Sequence, residues 1–318
     1  MRVHLLHAPE PEDFAILRAA SPSIVFTTGR PVPPDAAVLV AGRPSAEDLD
    51  AVSVLVIPYA GLPARTRSLL RARPHIVAHN LHHNAPAVAE MALALLLSVT
   101  RCLGPMDRAL RSFDWRGRYA PDPAFTLSGR TVLVLGYGAI GRCLAPPLRA
   151  LGARVLATRR RLAAPVEEQG VSVFPAAQLD ALLPEAAALV VALPHTAETD
   201  GLLGARRLAL LPRGAALVNV ARAGIVDEYA LHAALASGQL CGAGLDVWYR
   251  YPRSAIGRAD TPPCDAPLWE LPNVVFSPHR AGHVQDTEAQ RMASLAQRLR
   301  QIAAGGPAAG RVDLEAGY

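Results

Sequence analysis

The 318-residue chain is 51% hydrophobic and 19% charged with a net formal charge of +5, which marks a globular chain with room for two domains and excludes a disordered one. Its arginines are scattered, with no basic tail and no aromatic-interleaved patch, so the charge suits anionic small molecules better than nucleic acid. Cys102, Cys143, Cys241 and Cys264 form no C-x-x-C pair and no metal-ligand spacing, which fits a reducing cytoplasm; Met1–Leu6 reads as a strand rather than a signal peptide, and Val88–Val99 is too short an apolar helix to span a bilayer.

Residues 1–80 alternate short apolar runs with turn and helix signals. The runs are Val3–Leu6, Ile24–Phe26, Ala37–Val40, Val52–Ile57 and His75–Ala78, and Ser45–Leu49 has the pattern of a capped helix start. That rhythm predicts a small α/β domain. Ala60, Gly61 and Leu62 lie just past a strand's carboxyl end, where open α/β sheets place ligands, although an ordinary turn has the same residues. His79-Asn-Leu-His-His-Asn84 follows, then a helix from Pro86 through Leu97 with Asn84 or Ala85 as its cap. No carboxylate or cysteine stands at useful spacing from His79, His82 and His83, so a polar cleft lining is favoured over a metal site.

Asp114–Ser128 is a connection rich in Pro and Arg. After it, Thr131–Leu135 is a Val/Leu run suited to a strand buried on both faces, and Gly136-Tyr-Gly-Ala-Ile-Gly141 has G-x-G-x-x-G spacing ahead of a helix over 142–151. Gly136 allows the tight turn, Gly138 the close approach of a pyrophosphate, and Gly141 the packing of helix on strand. Tyr137, Ala139 and Ile140 lie in the same loop, whose helix N-terminus offers N–H groups to phosphate. A second strand, Arg154–Thr158, ends in Arg159-Arg160-Arg161, where NAD-binding versions of the fold usually carry an acid for the ribose 2′-hydroxyl. Guanidiniums there attract a 2′-phosphate, so NADP(H) is preferred, with NAD(H) as the alternative.

Four later runs behave as buried strands: Ala188–Leu193, Ala215–Val220, Ala243–Trp248 and Val274–His279. They lead into Pro194 and Thr199, into Ala221 and Arg222, onto Asp246, and onto His279 with Gly282 beyond. One Arg or His at a strand end is unremarkable, but Arg222, Asp246 and His279 converging on the edge that holds a dinucleotide form a site candidate.

These residues resemble the D-isomer-specific 2-hydroxyacid dehydrogenase family. The matching pieces are Gly136-x-Gly-x-x-Gly141, Leu193-Pro-His-Thr-x-x-Thr199, Asn219-x-x-Arg-x-Gly-x-Val-Asp-Glu228, Gly244-Leu-Asp-Val-Trp248 and Ser277-Pro-His-x-Ala-Gly282, with Asn84-x-x-x-Val-Ala-Glu90 and Leu268-Trp-x-Leu-Pro-Asn273. They keep order and spacing over roughly residues 50–290. The resemblance implies an α/β fold: a Rossmann-type doubly wound parallel-sheet domain (101–282) inserted into a smaller flavodoxin-like substrate-binding domain (1–100 and 283–318), with long helices near 86–100 and 283–304 bridging the two. It implies an enzyme of the glyoxylate/hydroxypyruvate-reductase kind. Arg222 would clamp and polarise a 2-oxo acid, His279 would give or take the proton, and backbone at Ala60–Leu62 would cradle the carboxylate. Asp246 would bond the nicotinamide carboxamide or help to order the cofactor. Relatives are commonly homodimers, and a cytoplasmic protein without nucleic-acid or membrane partners is expected.

One position departs from the family pattern. The Glu normally found five residues after the strand-end Asp, paired with the catalytic His, is Tyr251 here. Loss of a carboxylate should lower the His pKa, because an adjacent negative charge favours imidazolium. Three readings follow: a reductase in which the Tyr251 hydroxyl orients His279, a formate-type dehydrogenase working by hydride transfer alone, and a non-catalytic NADP(H)-binding regulator. Retention of Arg222 and His279 weighs against the last. Arg253, Arg258 and the loop 252–267 add positive charge that would suit a second anionic group on the substrate.

Overall fold

The structure, a computed structural model, describes residues 1–121, 123–305 and 310–317. The chain divides into two units, Met1–Asn84 with His283–Tyr318, and Ala85–Gly282.

In the first unit, β1 (Arg2–Leu5), β2 (Val25–Thr28), β3 (Val38–Val40), β4 (Val54–Ile57) and β5 (Val77–Asn80) form a parallel sheet in the order β2-β1-β3-β4-β5. Helix α1 (Pro11–Ala19) has Pro at its first turn, where the missing N–H leaves no bond unmade, and α2 is Ala64–Arg71. Val3, Leu5, Val38, Val40 and Val56 pack on one face with Leu17 of α1, while Leu39, Leu55, Ile57 and Leu70 fill the other. The expected helix start at Ser45 is a single 3-10 turn, Glu47–Leu49. Its cap is reciprocal: the Asp48 N–H donates to Ser45 Oγ at 3.2 Å and the Ser45 N–H to Asp48 Oδ2 at 2.7 Å.

The second unit opens with α3 (Ala85–Thr100) and α4 (Leu103–Arg111). Its strands are β6 (Thr131–Leu135), β7 (Arg154–Arg159), β8 (Val166–Glu168), β9 (Val171–Pro175), β10 (Ala188–Val191), β11 (Ala215–Asn219), β12 (Leu240–Leu245) and β13 (Val274–Phe276). Helices α5 (Ala139–Ala150), α6 (Leu179–Leu182), α7 (Ala205–Leu208) and α8 (Glu228–Ala236) connect them. The sheet runs β13-β12-β11-β10-β6-β7-β9-β8, parallel except for the β8–β9 hairpin. Strand order reverses at β6, the doubly wound arrangement that opens a crevice at the carboxyl ends of β6 and β10. Helix α9 (Thr287–Ala303) returns to the first unit, burying Met292, Leu295, Ala296 and Leu299.

Two expectations need correction. The domain boundary expected at residue 100 falls at 84/85, because α3 lies on the second sheet. A Cβ on Gly244 would meet Leu95 Cβ at 2.7 Å and one on Gly242 would meet Val99 Cγ1 at 3.0 Å, so glycines in β12 admit the helix. The antiparallel hairpin β8–β9 was not expected. Its two-residue turn, Gln169-Gly170, has φ of +52° and +73°, the type I′ signature that an X-Gly pair between β-prone runs could have revealed. The connection over 114–128 contains one 3-10 turn, Arg116–Arg118, and residue 122 within it lies outside the described residues, as do 306–309 and 318 of the expected C-terminal part. No single helix among the described residues is long and apolar enough to cross a membrane.

Candidate active site

Strand adjacency lines up the sequence-predicted residues of the second unit. Along the carboxyl edge stand His279 beyond β13, Asp246 beyond β12, Arg222 beyond β11, Pro194 and Thr199 beyond β10, Gly136 beyond β6 and Arg159 at the end of β7.

Each glycine of the first βα turn answers a separate steric demand. Gly136 has φ +108°, and a Cβ there would stand 2.8 Å from the Ala192 carbonyl oxygen; a Cβ on Gly141 would stand 2.5 Å from the Gly136 oxygen. Gly138 would meet nothing within 4 Å, so its face is open to an approaching group. Helix α5 begins at Ala139 with no side-chain cap, leaving its first amides to serve an anion, while Tyr137 is buried and Ile140 packs on the core. Beyond β10, Thr199 Oγ1 donates to the Pro194 carbonyl at 2.8 Å and accepts the Thr196 N–H at 2.8 Å, which folds the turn that carries both residues. The loop therefore fits a dinucleotide pyrophosphate.

The arginines at the end of β7 are not free of acids. Arg159 pairs with Glu168 at 2.6 Å, Arg142 pairs with the same Glu168 at 2.9 Å, and Arg160 reaches Glu198 at 3.3 Å. No acid stands at this strand end in the sequence. The β8–β9 hairpin folds one back onto it. Arg159, largest in effect, and Arg142 hold the Glu168 carboxyl below its usual range.

Asp246 organises the other end of the edge. It is 1% exposed, and its carboxylate accepts the Ser277 hydroxyl, the Arg280 N–H at 2.8 Å and the Ala281 N–H at 3.0 Å. Those donors bracket His279, a non-glycine residue held at φ +57°, next to Gly282. Asp246 was expected to bond the nicotinamide carboxamide or to help order the cofactor; within the protein, its carboxylate serves the turn that presents the histidine. Trp248 ties the same turn down: its Nε1–H donates to the Ser277 carbonyl at 2.8 Å and its ring stacks on Phe276 with centroids 4.7 Å apart.

Tyr251 meets this turn. Its Oη lies 2.8 Å from His279 Nδ1 and accepts the Trp248 N–H at 3.1 Å. Burial pushes the phenol pKa up while the Trp248 N–H and the Arg222 cation pull it down, with burial the larger effect, so the hydroxyl stays neutral. Arg222 follows β11 in extended backbone and is exposed. Asn219 sets its backbone, accepting the Ala221 N–H at 3.0 Å and donating to the Arg222 carbonyl at 3.0 Å. Sequence reasoning missed Asn219 and Trp248 as positioning residues; both lay inside matched motifs, but only their bonds disclose the role.

In the first unit, Ala60, Gly61 and Leu62 follow β4, half-exposed, with Gly61 at φ +95°. His82 and His83 follow β5. Among the described residues, no group of three His, Cys, Asp or Glu side chains is placed to hold a metal ion.

Comparison with known proteins agrees with this geometry. Residues 93–281 match the family model described as D-isomer specific 2-hydroxyacid dehydrogenase, NAD binding domain. The chain is 34% identical over 291 residues to D-3-phosphoglycerate dehydrogenase of Mycobacterium leprae (strain TN), covering 86% of this chain and 52% of that protein. It is 37% identical over 199 residues to glyoxylate reductase of Thermococcus onnurineus (strain NA1), covering 61% of this chain and 56% of the relative. It thus spans about half the length of these curated relatives. The crystal structure of a D-isomer specific 2-hydroxyacid dehydrogenase from Xanthobacter autotrophicus Py2, in complex with NADPH and MES, superposes with a TM-score of 0.79 at 29% identity, covering 100% of this chain and 99% of that one. The match over more than half of the chain, together with the glycine turn and the strand-end residues, establishes that this protein belongs to the D-isomer specific 2-hydroxyacid dehydrogenase family.

Proposed function

We propose that the protein reduces a small 2-oxo acid to the D-2-hydroxy acid with NADPH, reversibly, with Arg222 and His279 as its catalytic residues. The observation that carries the reading is the 2.8 Å contact between Tyr251 Oη and His279 Nδ1 on a turn pinned by Asp246. A protein that merely binds nucleotide has no need of an oriented imidazole and an exposed arginine on one sheet edge, which favours chemistry over a regulator. The family match and the NADPH-bound relative from Xanthobacter support the same class.

Bound NADPH supplies the hydride to the carbonyl carbon. Gly136, Gly138 and the first amides of α5 would hold its pyrophosphate, with Ala221, Pro194, Thr199 and Gly282 along the same edge. Arg222 binds the substrate carboxylate and draws electron density from the neighbouring carbonyl. Because Nδ1 of His279 faces Tyr251, Nε2 is the atom that delivers the proton to the carbonyl oxygen. Tyr251 serves both protonation states. Its O–H donates to Nδ1 of the neutral ring, and its oxygen accepts Nδ1–H from the imidazolium. Arg159 and Arg160 would meet the 2′-phosphate, competing with Glu168 and Glu198.

The test is NADPH and NADH consumption across 2-oxo acids such as glyoxylate, hydroxypyruvate, phenylpyruvate and 2-oxoglutarate, with product configuration read by chiral chromatography. Turnover to a D-hydroxy acid is expected. Tight NADPH binding with no turnover on any acid would replace this reading with the regulator. Tyr251→Phe should lower kcat several-fold with KM for NADPH unchanged; an unaltered kcat would remove the tyrosine's role.

A further inference from the structure

We propose that His83, Arg291 and Arg298, with His82 beside them, form a second oxyanion site, for a carboxylate or phosphate group, inside the unit built from the two chain ends. Among the described residues, five buried side-chain polar atoms have no hydrogen-bond partner, and four belong to these side chains: His83 Nδ1, Arg291 Nε, and Arg298 Nε and Nη1. Buried polar atoms without partners are rare in folded proteins, and here Arg291 acts on His83 and Arg298 on His82, so the unanswered groups belong to one electropositive cluster suited to an acceptor.

The elements explain the cluster. Arg291 and Arg298 are seven residues apart on α9, two turns along one face. That helix packs Met292 and Leu295 into the same core as Leu81, which brings the loop after β5 to the helix. The loop lies at the carboxyl edge of the parallel sheet, where this architecture binds ligands. Gly310, at φ +66°, permits the approach: a Cβ there would stand 3.2 Å from Arg298 Nη2 and 2.7 Å from the Asn80 carbonyl oxygen.

The charges point the same way. Glu288 takes Arg291 Nη1 at 2.9 Å and leaves Nε unanswered, while Arg298 has no ion pair among the described residues. Burial, then the Arg298 cation, lowers the His82 pKa. Burial, then Arg291 and His82, lowers that of His83 to about 4. Guanidinium forks beside imidazole N–H groups match the two oxygens of a carboxylate or phosphate. Two sources carry such a group: a second acidic group on the substrate, which rests on the proposed reductase reading, and a free anion, which does not.

Calorimetric titration of the full chain with inorganic phosphate, against chloride at equal ionic strength, tests the site. Saturable binding is expected, with at least a tenfold weaker Kd in Arg298→Gln and Arg291→Gln. Arg298→Met should raise Tm in the absence of phosphate, since an unanswered buried charge is removed. Phosphate affinity unchanged in both Gln variants would place the ion elsewhere, at Arg159 for example, and would overturn the proposal, as would a lower Tm for Arg298→Met, the mark of a structural arginine. KM values in Arg298→Gln then separate the sources. A rise of tenfold or more for 2-oxoglutarate but not for pyruvate assigns the group to the substrate, and unchanged KM with lost phosphate binding assigns it to a free anion. If no 2-oxo acid turns over, the reductase reading fails while the phosphate result still decides the site.

Discussion

Asp246 is a buried carboxylate of the second unit and Arg298 a partly buried guanidinium of the first, and they are treated in opposite ways. Around Asp246, three donors from a single turn answer the carboxylate. On Arg298, two buried nitrogens find no acceptor, and His83 Nδ1 in the same unit is equally unanswered. A saturated buried charge is a fixed strut, because displacing any of its partners exposes a desolvated group. An unsaturated one is a standing penalty unless something else completes it. The difference separates residues that build a site from residues that wait for a ligand.

The largest effect expected on the saturated side comes from removing the chemistry and leaving the strut. His279→Ala should lower turnover by about 10²–10⁴-fold while NADPH affinity, measured by fluorescence titration, stays within a few-fold. A smaller loss than tenfold would mean that the pinned turn presents something other than the proton donor. Next comes the strut itself. Asp246→Asn sets an amide N–H₂ against backbone N–H donors and should cost about 1–3 kcal/mol of stability in urea denaturation, with a fall in kcat through the displaced His279. Stability and kcat both unchanged would show that the turn holds without the carboxylate.

A saturated charge in the first unit extends the comparison. Asp48 is 5% exposed and accepts Arg30 Nε at 3.0 Å, Arg30 Nη2 at 2.8 Å and the Ser45 N–H at 2.7 Å; the Arg30 hydrogen bond, opposed by burial, brings its pKa from 3.8 to about 2. A depressed folded pKa stabilises the protein above the unfolded value of 3.8, and that stabilisation disappears as pH falls through about 2. With Arg30 more than half exposed, about 1–2 kcal/mol is expected. Asp48→Asn should remove it at pH 7 and flatten the acid limb of urea midpoints between about pH 4 and 2. The smallest effect is expected at Glu168, which answers Arg142 and Arg159 together. Glu168→Gln should release both guanidiniums and shift the NADPH-over-NADH ratio of kcat/KM upward by several-fold; a shift toward NADH would mean that the carboxylate organises the arginines for phosphate rather than competing with it.

The sequence by itself determined the architecture and the sheet edge on which the candidate site residues stand. Buried parallel strands announce themselves as Val/Leu runs, the glycines of the first βα turn sit where only glycine fits, and polar residues closing apolar runs mark the strand ends at Arg222, Asp246 and His279. These signals are local, a few residues of periodicity and punctuation each. What required the tertiary structure was contact between residues distant in the chain. Tyr251 bonds a histidine 28 residues away, Glu168 reaches back across a hairpin to Arg142 and Arg159, and Asp246 answers amides 34 and 35 residues further on. The placement of α3 with the second unit was decided by two glycines in a strand more than 140 residues later. Arg291 and Arg298 show no motif at all, and the His82-His83 pair announced no more than a polar lining, because an unanswered hydrogen bond is a property of the space around an atom and not of its neighbours along the chain.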